Sequence, residues 1–184
     1  MIPLSEKNET YYINSSSKTA VSEFKILASK IINDTKKYFE EIIILCIGTD
    51  RATGDSLGPL IGYKLSKFPS KNLVHVYGTL KEPVHAKNLD KTVEQIYKNH
   101  RNPMVIAIDA SLGSTNHIGY LTIGKGSIKP GAGVRKNLKE VGNIFITGIV
   151  NLGGLMEMTM LQNTRLSIVM DMADIISTGL WLSL

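Results

Sequence analysis

Cysteine is nearly absent from this chain: Cys46 is the only one among 184 residues. No internal disulfide can form, and Cys46 lies inside an apolar run where a core thiol is expected rather than a nucleophile. Nor is a secretory leader expected at the start. Met1–Lys18 is polar, and no apolar segment follows its basic residues. Together these absences lead to the expectation of a reducing, cytoplasmic compartment. The longest apolar stretch, Leu166–Leu184, is interrupted by Asp171 and Asp174, which favours a buried core helix over a membrane span. The net charge of +5 invites a nucleic-acid reading. However, the densest basic cluster (Lys125, Lys129, Arg135, Lys136 and Lys139) holds no aromatic residue to stack on bases. Specific nucleic-acid recognition is therefore not expected, whereas attraction to an acidic partner fits the charge.

What is present describes one folded domain. Hydrophobic residues make up 43% and charged residues 20% of the chain, ordinary values for a globular protein able to bury a core. Residues 1–17 read as a flexible N-terminal arm, and residues 18–184 as a single domain. The apolar positions Val21, Phe24, Leu27, Ile31 and Ile32 recur at helical spacing and predict a first helix over Lys18–Phe39. Ile42–Ile47 is a continuous apolar run of strand-forming residues, as found in strands covered on both faces. A helix ending near Phe68-Pro69, a strand over Leu73–Tyr77, a helix over Asp90–Asn99 and a buried strand over Met104–Ile108 follow.

Beyond Asp109 the pattern changes. Ile118–Ile123 is read as an added antiparallel strand, Gly124–Gly142 as a long loop and Ile144–Val150 as a further buried strand. Gly154–Leu161 is expected to form a short helix and Thr164–Leu182 the final long one. The alternation predicts an α/β fold: a three-layer α/β/α sandwich on a mostly parallel sheet of about five strands.

In such sheets ligands bind beyond the carboxyl ends of the strands. That rule selects the segments Gly48–Pro59, Gly78–Asn88 and Asp109–Asn116. The first is glycine-rich, yet it has neither the G-x-G-x-x-G spacing nor a G-K-S/T ending, and Asp50 and Asp55 would repel a phosphate. Asp55 reads equally as a cap of the following helix or as a catalytic group. Asp109 closes the third strand and should share a sheet edge with Asp55. Two carboxylates brought together in a partly dry crevice hold one proton between them, which suits general acid–base activation of water. The competing reading of Asp109 is a buried acceptor of backbone hydrogen bonds. Glu82 and His85 in the middle segment could join the two aspartates in an oxygen/nitrogen site for a divalent metal, although no compact ligand motif is present. His75, His100 and His117 read as surface histidines. The loop over Gly124–Val134 is expected to act as a flap or substrate-contacting rim.

Three strings also carry a family likeness: Gly48-Thr49-Asp50 with Thr53–Pro59, then Ile108-Asp109-Ala110, then Lys129-Pro130-Gly131-Ala132-Gly133-Val134. They resemble the YyaC family of candidate spore proteases, and the resemblance runs from about Glu41 to Ser177. That family is similar in turn to the germination protease of endospore formers and to hydrogenase-maturation endopeptidases. The resemblance implies a phosphorylase/hydrolase-like fold and peptide-bond hydrolysis by an aspartate pair, placed here on Asp55 and Asp109. On this peptidase reading the expected substrate contacts are Thr49, Asp50, Glu82, His85, Lys129, Gly131 and Gly133. The resemblance further implies a protein or peptide substrate, with small acid-soluble spore proteins as candidates, in a sporulating cell or spore. Two features depart from these relatives. Thr49 stands where the germination protease has asparagine, and Lys125–Gly142 lacks the histidine by which the hydrogenase enzymes recognise nickel, leaving only His85 or His117 as substitutes. A non-catalytic binding protein on the same fold and a metal-dependent hydrolase are the alternatives.

Overall fold

The computed structural model describes residues 9–130 and 139–184. Its centre is a six-stranded sheet: β1 (Thr10–Asn14), β2 (Glu41–Cys46), β3 (Val74–Tyr77), β4 (Pro103–Gly113), β5 (Tyr120–Lys125) and β6 (Ile144–Leu152). The strand order is β1-β5-β6-β4-β2-β3. β3, β2, β4 and β6 pair in parallel, and β5 runs antiparallel to both β6 and β1. The helices are α1 (Ala20–Lys36), α2 (Leu57–Leu65), α3 (Leu89–Asn99), α4 (Glu157–Gln162) and α5 (Leu166–Ser183).

Alternation along β2 explains the layers. Ile42, Ile44 and Cys46 point into one buried cluster, which also takes Phe24 and Ile32 from α1, Leu57 and Ile61 from α2, and Met172 and Ile176 from α5. Ile43, Leu45 and Ile47 point into a second cluster with Leu89 and Ile96 of α3. Both faces of β2 are thus dry, which is why its sequence is uniformly apolar. The α/β sandwich and the antiparallel placement of β5 agree with expectation. By length and composition α5 is apolar enough to cross a bilayer, yet half of it is buried within the fold. It is a core helix packed on α1 and α2.

Several expectations need correction. The N-terminal arm is not wholly flexible: Thr10–Asn14 forms β1, which pairs with β5 and buries Ile13. Backbone pairing along an otherwise open sheet edge, together with the inward side chains of Tyr11 and Ile13, orders this short segment. The sheet accordingly has six strands rather than about five. Asp109 does not end its strand, because β4 continues to Gly113. β6 supplies backbone partners to that extension, with a register shift between Ser111 and Leu112.

Cys46 is fully buried, and burial pushes its thiol well above the ordinary cysteine range. A thiol-specific reagent is expected to label one cysteine per chain in denaturant and essentially none under native conditions. Fast native labelling would contradict the packing of β2.

Candidate active site

The order of crossovers creates the crevice. From β2 the chain passes through α2 to β3 on one side, then returns through α3 to β4 on the other side of β2. β2 and β4 therefore flank the point where the strand order reverses, the usual ligand position in open α/β sheets. β2 stops at Cys46 while β4 runs on, so Asp109 stands just beyond the last paired residues of the two strands, Cys46 and Ile108.

The loop after β2 is shaped by its backbone. Gly48 has φ +139°, and a Cβ there would lie 2.0 Å from the Asp55 carbonyl oxygen. Only glycine lets the two segments approach this closely. The Thr49 N–H donates to that carbonyl at 3.0 Å, folding the loop back on itself. Asp55 then falls in a single 3-10 turn, Gly54–Ser56, immediately before α2. Ser56, not Asp55, occupies the N-cap position of α2, and no side-chain cap bond is made there. The capping reading of Asp55 is thus excluded. Pro59 sits in the first turn of α2, where a missing N–H costs nothing.

The segment after β3 is tied to the same edge. Ile47 and Val84 form a parallel bridge, and the Gly48 N–H donates to the Val84 carbonyl at 2.8 Å. Asn88 holds the segment that carries His85: its Oδ1 accepts the His85 N–H at 2.8 Å, and its Nδ2 donates to the Pro83 carbonyl at 3.0 Å.

Asp55, Asp109, Thr49 and His85 all line one cavity of about 310 Å³. Asp109 is only 6% exposed, and its Oδ1 accepts the Ala110 N–H at 2.8 Å, which fixes the carboxyl plane. Burial raises the Asp55 carboxyl above its ordinary value, opposed by the Thr49 backbone N–H and by the charge of the His85 imidazole. A carboxyl that takes up a proton more readily than usual, lining the same cavity as a second buried carboxyl, suits acid–base chemistry.

Not every expected residue reaches the cavity. Asp50 and Glu82 are exposed and do not line it, so the four-residue metal site of Asp55, Asp109, Glu82 and His85 does not assemble. Lys129 is exposed and pairs with Glu140 at 3.7 Å; its neighbour Pro130 forms part of the wall instead. Gly131 and Gly133 lie outside the described residues. Of the two histidines that might replace the missing nickel-recognising one, only His85 is at the cavity. His117 is exposed and packs on Tyr12 and Tyr120.

Other lining residues gave no signal in the sequence. Met158, Leu161 and Gln162 of α4 form one wall, and Arg51 and Lys87 place cations at the site. α4 reaches the cavity because it packs on the Gly54–Ser56 turn, and Gly54 leaves room for Leu161 and Thr164.

The family described as protein of unknown function, DUF1256, matches residues 12–179. The chain belongs to this family. It is 46% identical over 179 residues to the uncharacterized protein YyaC of Bacillus subtilis (strain 168), a match that spans 97% of this chain and 86% of that one. Among solved structures it is similar to the nickel–iron hydrogenase maturation protease HycI of Thermococcus kodakarensis KOD1. That match has a TM-score of 0.49 and 17% identity, and covers 82% of this chain and 99% of the other. The likeness to YyaC expected from the Gly48–Pro59 and Asp109 strings is therefore found along nearly the whole DUF1256 chain.

Proposed function

We propose that this DUF1256 protein is a peptidase of sporulating bacteria that hydrolyses a peptide bond with the Asp55–Asp109 pair. The observation carrying this reading is that two aspartates far apart in sequence line one cavity, where burial raises one of the carboxyls. Asp109, as the base, takes a proton from the attacking water while the water oxygen bonds to the scissile carbonyl carbon. Asp55, whose carboxyl burial holds above its ordinary value, delivers a proton to the departing nitrogen as the C–N bond breaks. His85 stands beside Asp55 and tempers the cost of its charge. Ile47, Leu112 and Leu161 offer an apolar wall for a substrate side chain, and Arg51 and Lys87 suit acidic groups on the peptide. Small acid-soluble spore proteins are the candidate substrates, by resemblance to the germination protease.

The test is incubation of purified protein with such spore proteins, followed by mass spectrometry of the products. Cleavage by the wild type that falls at least about 100-fold in Asp109→Asn is expected, the usual contribution of a positioned acid or base. Undiminished cleavage by that variant would remove Asp109 from the mechanism. Stoichiometric capture of an intact protein, with no cleavage, would favour a binding role for the same cavity.

A further inference from the structure

The opposite edge of the sheet carries a second constellation. Glu41 opens β2, His75 lies in β3, and His100 terminates α3. β2 separates this cluster from the Asp55 loop by six residues of strand, roughly 20 Å at about 3.3 Å per residue. Alternation along β2 and β3 turns Glu41 and His75 towards the α3 face, where His100 meets them. The surface reading is corrected for His100, whose side chain is only 10% exposed, while the His75 side chain stays 41% exposed; both converge on one carboxylate. His117 is exposed as expected.

The geometry is that of a ligand set. His100 Nδ1 lies 2.7 Å and His75 Nε2 3.0 Å from the same oxygen, Glu41 Oε2. The two rings are 4.3 Å apart and tilted by 47°. Two further polar atoms are held from outside: the Arg101 N–H donates to Glu41 Oε1 at 2.7 Å, and Tyr77 Oη lies 2.8 Å from His100 Nε2. Such outer contacts orient metal-binding imidazoles and carboxylates. An ion on Nδ1 leaves the His100 Nε2–H to donate to the Tyr77 oxygen. The Arg101 guanidinium is drawn aside to Glu40 at 3.2 Å, so it does not compete for the carboxylate. The C-terminus of α3 adds a partial negative charge. His75 is 41% exposed, which provides an entry path and room for a solvent ligand.

We propose that Glu41, His75 and His100 bind a divalent first-row transition ion, with zinc the simplest fit to two imidazoles, one carboxylate and a solvent molecule. The ion would staple the starts of β2 and β3 to the end of α3. Its role is structural, distinct from the cavity chemistry.

The test uses the full chain, stripped by chelator and titrated with Zn²⁺ by calorimetry and with Co²⁺ by visible absorption. One ion per chain, intense tetrahedral Co²⁺ bands and a Tm raised by several degrees on loading are expected. His75→Gln, at a partly exposed position, should weaken Zn²⁺ binding at least about 100-fold while circular dichroism stays unchanged. Tyr77→Phe keeps all three donors and should weaken it roughly 10-fold by loosening His100. Asp55→Asn should leave binding intact. Absence of binding, binding unaffected by His75→Gln, or binding lost in Asp55→Asn would each overturn the assignment.

Discussion

Asp55→Asn is expected to abolish hydrolysis and, in the same variant, to raise stability near neutral pH. The two effects share one cause. Burial raises the Asp55 carboxyl above its ordinary value, so the folded chain holds the proton more tightly than the unfolded chain does. Between the ordinary aspartate range, about pH 4, and the raised folded value, the native state binds more protons than the unfolded state. Stability therefore falls as pH rises through that interval and stays lower above it. Asparagine has nearly the same shape and leaves the Thr49 N–H bond to the main-chain carbonyl of residue 55 in place, but it carries no charge to desolvate. The variant should match the wild type in acid below the ordinary aspartate range and exceed it at pH 7. In a domain of this size each kcal/mol gained appears as roughly 2–4 °C in Tm. Cleavage should drop about 100-fold or more, because a neutral amide cannot cycle a proton. Thermal melts of both proteins at several pH values decide the matter. A variant less stable than wild type at neutral pH would show that the Asp55 charge is well compensated and that Asp55 serves the fold.

Gly58→Ala should produce the largest loss of stability among single-atom additions to α2. A Cβ at this position would lie 2.1 Å from the Ile47 carbonyl oxygen and 2.7 Å from its nitrogen. Both contacts are to backbone at the end of β2, where the Ile47 N–H is already committed to the Ile108 carbonyl at 2.7 Å. The strand cannot yield without breaking that bond, so α2 must lift from the sheet and part Leu57 and Ile61 from their cluster. Overpacking of this kind commonly costs 1–3 kcal/mol, and the rigid neighbour places this case at about 3–5 kcal/mol. Gly153→Ala is the control, since its nearest neighbours would sit at 3.6 Å, an ordinary contact. Urea denaturation should show a much lower midpoint for the first variant and almost none for the second. A near-neutral Gly58→Ala would mean that α2 does not ride this closely on β2. Because Asp55 lies one turn ahead of α2, the same displacement should also weaken cleavage.

Gly58 also marks how much of the site could be read from the chain. The loop after the Ile42–Ile47 run was identifiable because a strand dry on both faces must be uniformly apolar, and its end must be where polar residues begin. The same reasoning located Asp109 after Met104–Ile108, although β4 in fact continues because β6 lies alongside it. Asp50 and Glu82 were misplaced for a different reason. Local composition identifies a loop as polar, but which of its side chains turn inward depends on bonds such as Thr49 to Asp55 and Ile47 to Val84.

The amino-acid sequence by itself determined the α/β alternation, the buried strands β2 and β4, and the two aspartates that follow them. These features follow from periodicity and burial, which act over a few neighbouring residues. Only the tertiary structure decided that α4 closes the cavity, that Thr10–Asn14 completes the sheet, and that His75 and His100 meet on Glu41. Each of these joins segments whose proximity depends on strand order and crossover side. No local propensity encodes that order, because it is set by which faces must be covered once all the elements pack together.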